Sequence, residues 1–405
     1  MQYLHEISNK LLKVVKNDFQ RSLYAKINWN QRLIEIKGSR GVGKTTLMLQ
    51  KAKELQKQNP QSVLYITLDD AYFFNHTIVE TAEEFNKYGG KFIFIDEVHK
   101  YPSKQAKHDW SAEIKNIYDL IPEISIIYSG SSIIELYKGN GDLSRRKSTY
   151  TLSGLSFREY LQYNNVLNFD VLTLNQILKN HIQLAENITS QFKILPQFKN
   201  YLLHGYYPFY NEETEQYYQR IKNIINVILE VDIPSTTEIT FETIGKIKKL
   251  LAALATSVPY TPNLSQLSAN LNITDLRTLY KYLNFIEKAE LITLLKSKNT
   301  GNKLLQKPEK IFLNNTNTLY ALCNEQIEIG TVRELFFCNQ LNYTHQINYP
   351  KHGDFIIDNK YTFEVGGKNK NTKQIYSVEN SFLALDEIES GFNNKIPLWL
   401  FGFLY

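Results

Sequence analysis

Gly38, Gly43, Lys44 and Thr45 stand at the spacing G-x-x-x-x-G-K-T. Residues of these types at this spacing bind phosphate. Glycines let successive backbone N–H groups turn toward phosphate oxygens, and a helix start adds partial positive charge. Lys44 would reach the β- and γ-phosphates of a nucleotide, and the Thr45 hydroxyl would hold Mg²⁺. The expected cradle comprises Gly38, Ser39, Arg40, Gly41, Val42, Gly43, Lys44, Thr45 and Thr46.

A second motif supplies acids. The run Phe92-Ile93-Phe94-Ile95 is apolar and ends in Asp96-Glu97. Ligands of open α/β sheets bind at the carboxyl ends of strands, so Asp96 falls where Mg²⁺ would sit. Glu97 can then orient and deprotonate an attacking water. A third run, Ile124-Ser125-Ile126-Ile127-Tyr128, leads into Ser129-Gly130-Ser131-Ser132. The layout resembles that of the additional-strand, catalytic-glutamate P-loop ATPases, in which the polar residue ending this strand senses the terminal phosphate. That implies Ser129 or Ser131 here, and spacing does not choose between them; a Ser/Gly turn without a ligand is the competing account. Arg145 and Arg146 are candidates for an arginine that meets the γ-phosphate, in cis or from a neighbouring copy. A plain solvated basic loop is the competing account of the pair.

These residues need a scaffold. Leu33-Ile34-Glu35-Ile36-Lys37 alternates like a strand before the glycine loop, and Thr45 to Gln58 has helical spacing after it. Ser62 to Leu68 reads as a further strand between the two motifs, and Ser148 to Leu152 as the last one. An extra strand, with a glutamate beside the metal aspartate, is the layout of the additional-strand, catalytic-glutamate P-loop ATPases.

On Gly38 to Gln50, Phe94 to Tyr101, Ile126 to Ile133 and Asp142 to Leu161, the chain resembles the prokaryotic AAA-type ATPases related to the archaeal ATPase group. The C-terminal half of those proteins is catalogued as a domain of unknown function. Tyr201 to Phe209 and Arg333 to Lys370 extend the likeness more loosely. The resemblance implies ATP as the nucleotide, slow hydrolysis and a bacterial or archaeal source.

Composition sets outer bounds. The chain has 405 residues, 43% hydrophobic and 21% charged, which fits a folded protein of several domains. Apolar runs fall short of the ~20 residues of a membrane span, and the N-terminus lacks the plan of a signal peptide. Cys323 and Cys338 form neither a disulfide framework nor a metal spacing. These features point to the cytoplasm, with no membrane partner. The net charge of +5 is only mildly basic and reads as composition bias.

Four domains are expected: an ATPase domain over 1–160, a helical lid over 161–240, a winged helix over 241–322 and an α/β domain resembling restriction endonucleases over 323–405. Arg21 and Lys26 read as a basic patch, and Gly205-Tyr206-Tyr207-Pro208-Phe209 as an aromatic turn suited to packing. In the winged helix, Thr274 is the expected cap of a third helix with Leu276, Leu279, Tyr280, Leu283 and Ile286 inward. Arg277 and Lys281 on its other face, with Lys296, Lys298 and Lys303 in the wing loop, suit contact with double-stranded DNA, and a domain coupler with solvated lysines is the competing account. In the last domain Asp354 and Glu364 resemble a metal-dependent nuclease pair. The lysine expected two positions after Glu364 is Gly366, and Lys368 and Lys370 are the nearest, so nuclease activity is not expected.

Two functions follow. One is an ATPase that hydrolyses ATP with Mg²⁺ and moves its C-terminal domains, on DNA or elsewhere. The other is a nucleotide-gated switch of a regulatory or defence kind that holds a protein partner with little turnover.

Overall fold

Leu33–Gly38 (β1), Val63–Thr67 (β2), Phe92–Asp96 (β3), Ser125–Ser131 (β4) and Ser148–Thr151 (β5) form one parallel sheet in the order β2-β3-β4-β1-β5. They belong to a computed structural model that describes all residues except 103–108, 134–142, 212–215, 238, 257–262, 274, 298–306, 324–326 and 372–374. Asp142, Thr274, Lys298 and Lys303 therefore lie outside the described residues. The sheet is helix-covered, and its strands are near-continuous apolar runs because both faces are buried. Ile34, Ile36, Leu64, Ile66, Ile93, Phe94 and Ile95 are all nearly inaccessible.

Sheet order refines the expectation of an extra strand. The strand between β1 and β3 in space is β4, whereas β2, which lies between the motifs in sequence, forms the outer edge. The carboxyl ends of β1, β3 and β4 open on one side. The glycine loop, Asp96 and the Ser129–Ser131 end of β4 lie there together.

Glu35, on β1, is a charge inside this core, 2% exposed. It accepts from Lys147 Nζ at 2.9 Å, Thr149 Oγ1 at 2.7 Å and the Tyr128 hydroxyl at 3.2 Å. A buried carboxylate is tolerable only when so partnered. The partners come from β4, from β5 and from the turn before β5, so Glu35 ties both neighbouring strands to β1.

The chain forms two compact units. The first holds Met1–Ser153 and a return segment, Val227–Ile239; the second holds Gly154–Asn226 and Thr240–Tyr405. The helical stretch expected as one lid over 161–240 is thus shared between them. The return segment contains a π-helical turn, Ile228–Asp232, followed by a short helix, Ile233–Thr236. Such turns are rare, and they recur at functional sites.

In the second unit, helices Phe241–Ala255, Leu264–Asn270 and Leu276–Lys288 precede an antiparallel pair, Ile292–Leu295 (β6) and Lys310–Leu313 (β7). Leu279, Leu283 and Ile286 are buried as expected, but Leu276 is 41% exposed because it opens the helix at its free end. The cap is Asp275, which accepts from the Arg277 N–H. A mixed sheet follows, built from Ile347–Asn348 (β8), Phe355–Ile357 (β9), Tyr361–Gly366 (β10), Ser381–Leu385 (β11) and Lys395–Pro397 (β12) in the order β12-β11-β10-β9-β8. The helix Ile329–Asn342 packs on it through Phe337, whose ring lies 5.0 Å from that of Phe363. Tyr206 and Tyr207 are buried, and a Cβ on Gly154 would meet the Tyr206 ring at 2.4 Å, so the aromatic turn is packing.

Candidate functional site

The loop after β1 takes its shape from glycine. Gly41 and Gly43 adopt φ of 85° and 100°, where a side chain would be strained. A Cβ on Gly38 would lie 2.2 Å from the Leu152 carbonyl oxygen, so only glycine lets β5 pass this closely. The loop then feeds the helix Lys44–Gln58.

Lys44 is buried and folds back over the loop. Its Nζ donates to the Gly38 carbonyl at 2.8 Å and the Ser39 carbonyl at 2.9 Å. Arg21 braces the same loop from behind. Its guanidinium donates at 2.7 Å to the Val42 carbonyl and at 2.7 Å to the Ser153 carbonyl. Arg21 is therefore not part of a basic surface patch; it is 7% exposed, while Lys26 is exposed. Nothing in the local sequence distinguishes a buried brace from a solvated arginine.

Asp96 gathers hydroxyls. Its Oδ2 accepts from Thr45 Oγ1 and from the Tyr65 hydroxyl, each at 2.6 Å, and its Oδ1 accepts from Ser129 Oγ. Burial, then the nearby Asp96 charge, push the Tyr65 hydroxyl pKa well up, so it remains a donor. Tyr65 lay unremarked within β2, where a tyrosine reads as strand-forming. Of the two serine candidates, Ser129 reaches Asp96, and Ser131 pairs in register with Gly38 at the mouth of the loop. A hydroxyl and a carboxylate this close form a hard-oxygen donor set of the kind Mg²⁺ takes, so Thr45 and Asp96 fit that ion.

Glu97 follows in a left-handed conformation, φ 53°, uncommon for a residue with a side chain. Its Oε2 lies 3.2 Å from Arg40 Nη2, 3.4 Å from Lys100 Nζ and 3.5 Å from His99 Nε2. A second acid shares two of these neighbours, Arg40 and His99. Asp232 Oδ1 is 3.0 Å from Arg40 Nη2 and 3.5 Å from His99 Nε2, and its Oδ2 accepts from Arg40 Nε at 3.3 Å. At 3.5 Å the imidazole touches both acids without a good hydrogen bond to either. Asp232 is fully buried. Burial alone would raise its pKa, but His99 and Arg40 beside it outweigh burial, and the carboxyl lies below its usual range. Lys100 closes the chain of charges on Asp69, at 2.9 Å.

The arginine candidates lie elsewhere. Ser148 pairs with Ile34 near the start of β1, so the residues just before β5 sit at the amino end of the sheet. Ile34 and Gly38 are four residues apart, about 13 Å along a strand. Arg146 there grips Asp119, with Nε–Oδ1 at 2.9 Å and Nη2–Oδ2 at 3.0 Å, and Arg145 is exposed. The geometry does not bring either arginine to the loop of its own chain.

In the second unit, Glu364 is 1% exposed and lies 2.9 Å from Lys370 Nζ; Lys370, not Lys368, is its lysine neighbour. Lys310 Nζ lies 3.0 Å from Glu334 and 3.8 Å from Asp354. Burial, then the Asp354 charge, raise the Glu334 pKa. Among the described residues no group of three or more His, Cys, Asp or Glu is arranged to hold a metal ion. Arg277 and Lys281 are both exposed, and Lys296 is partly buried. No described helix is long and apolar enough to cross a membrane.

Residues 30–161 match the model of a family described as an AAA domain, and residues 195–328 match a domain of unknown function (DUF8612). The first match stops short of Asp232, which falls within the second. No curated protein matches the sequence. Among solved structures, the chain is similar to the Walker-type ATPase PABY2304 of Pyrococcus abyssi, with 13% identity, a TM-score of 0.42, and 77% of this chain and 99% of that chain covered. It is also similar to the Aeropyrum pernix ORC1 protein in complex with DNA, with 11% identity, a TM-score of 0.30 and coverage of 78% and 90%. The AMPPCP-bound DnaA of Aquifex aeolicus gives 17%, 0.26, and 70% and 88%.

Proposed function

We propose, from the premise that residues 30–161 are a P-loop AAA-type ATPase domain, that this chain binds ATP with Mg²⁺ and hydrolyses it. The observation that carries the reading is the Thr45–Asp96 contact at 2.6 Å with Glu97 next in the chain. Lys44 would exchange the Gly38 and Ser39 carbonyls for phosphate oxygens. Mg²⁺ held by Thr45 and Asp96 would neutralise charge on the phosphates. Ser129 and Tyr65 fix the rotamer of Asp96, and Glu97 takes the proton of the attacking water. The test is steady-state ATP hydrolysis beside Glu97→Gln. The variant should bind ATP and lose turnover by about 100-fold or more; equal turnover would remove Glu97 as the base.

Movement of the second unit with nucleotide is part of the proposal. Its support is covalent: the return segment Val227–Ile239 is joined at both ends to second-unit chain. A DNA partner is the further element. Its support is the order of three helices and an antiparallel pair, as in a winged helix, with Arg277 and Lys281 exposed on the third helix. DNA affinity of Arg277→Ala/Lys281→Ala equal to wild type at low salt would remove that element.

A further inference from the structure

We infer that Asp232 is a positioning residue that holds the Arg40 guanidinium back from the phosphate site, so that nucleotide and Asp232 compete for it. The inference rests on the proposed nucleotide binding and extends it to a residue outside the phosphate-binding motifs.

Arg40 is part of the glycine loop, yet its guanidinium points back into the protein. It divides between two acids, Asp232 at 3.0 Å and Glu97 at 3.2 Å. His99 Nε2 bridges the same two acids, at 3.5 Å from each. The groups facing Glu97 are thus Arg40 from the loop, His99 and Lys100 from the turn after β3, and Asp232 from the return segment. Asp69 stands behind Lys100, and Tyr65 lies on the side of Asp96.

Asp232 is fully buried, and it lies at the end of a π-helical turn that presents its side chain to the loop. It takes both Nε and Nη2 of Arg40, at 3.3 and 3.0 Å. The pair holds the guanidinium away from incoming phosphate, so nucleotide and Asp232 compete for one arginine.

The test measures affinity for a fluorescent ATP analogue with Mg²⁺ on the full chain and its Asp232→Asn variant. Loss of the acid should tighten nucleotide binding about threefold to tenfold, since one negative charge leaves the phosphate site and Arg40 is released to it. A merely structural role would weaken binding, and equal or weaker binding by the folded variant would overturn the inference. If Asp232→Asn does not fold, Arg40→Gln decides: it should weaken binding about threefold or more, because the charge that phosphate draws from Asp232 is gone, and wild-type affinity would overturn the inference. If the wild type shows no turnover, the hydrolysis reading fails by itself, and the affinity comparison still decides the role of Asp232.

Discussion

The Tyr65 hydroxyl donates to Asp96 Oδ2 at 2.6 Å from the neighbouring strand β2. Thr45 reaches the same oxygen at the same distance, so two donors fix one lone-pair direction each. Outer groups that orient a metal-binding carboxylate typically change metal affinity by 10–100-fold when removed. Tyr65→Phe should therefore raise the Mg²⁺ concentration needed for half-maximal turnover about tenfold. A Mg²⁺ titration of ATP hydrolysis checks this, and an unchanged midpoint would make Tyr65 a core residue only.

Lys44 holds two carbonyls of its own loop, and a bound phosphate would take their place. Lys44→Ala should weaken ATP binding about 100-fold or more, by loss of the charge-assisted bonds to the phosphates. Titration with a fluorescent ATP analogue measures it. Because the carbonyls of Gly38 and Ser39 also lose a donor, a modest fall in thermal stability should accompany the loss.

Arg21 makes two 2.7 Å bonds to carbonyls at the two ends of the loop's support, Val42 and Ser153. Hydrogen bonds from a charged donor contribute about 1.5–3 kcal/mol each. Arg21→Ala should destabilise the first unit by about 2–4 kcal/mol and weaken nucleotide binding, because the carbonyls are left buried. Denaturant unfolding with and without ATP separates the two effects. Arg21→Lys, which can reach one carbonyl, should recover part of the stability.

Arg145 and Arg146 precede β5 at the amino end of the sheet, and Arg146 is paired with Asp119. Arg145→Ala and Arg146→Ala should leave turnover of dilute protein within about twofold of wild type, as expected of surface changes remote from the site. A loss that appears only as protein concentration rises would show an arginine acting from a second copy. Turnover assayed across a range of enzyme concentrations distinguishes these.

Burial first, then the Glu334 charge, push the Cys338 thiol up to about 12, while Cys323 is half-buried. The thiolate is the reactive form. At pH 8 a thiol reagent should modify Cys323 readily and Cys338 only after unfolding. Mass spectrometry of the labelled protein gives the answer, and two fast modifications would contradict the packing of the helix Ile329–Asn342.

The sheet of the first unit was legible because its strands are short apolar runs ending in polar turns, and parallel burial imposes that pattern. The loop and the Asp96–Glu97 pair were legible because their chemistry needs contiguous residues. Asp232 was not. It sits 192 residues from Arg40, in a run that reads as an ordinary amphipathic helix, and only tertiary placement gives it a role. Tyr65 and Arg21 were hidden in the same way, one inside a strand pattern and the other inside a basic stretch. The arginine pair shows the opposite limit: its composition suits the γ-phosphate, but the direction of a parallel strand puts it at the amino end of its own sheet, which leaves the role from a neighbouring copy.

The first unit closes on itself only through Val227–Ile239, after the chain has run through Gly154–Asn226. During synthesis the glycine loop and Glu97 leave the ribosome well before Asp232, since chains emerge amino end first. Until the return segment arrives, Arg40 and His99 keep their contacts with Glu97 and lack those with Asp232. A fragment cut at residue 161, where the AAA match ends, keeps the phosphate-binding motifs and is left in that half-finished electrostatic state. Maturation of the site is therefore tied to the making of the rest of the chain.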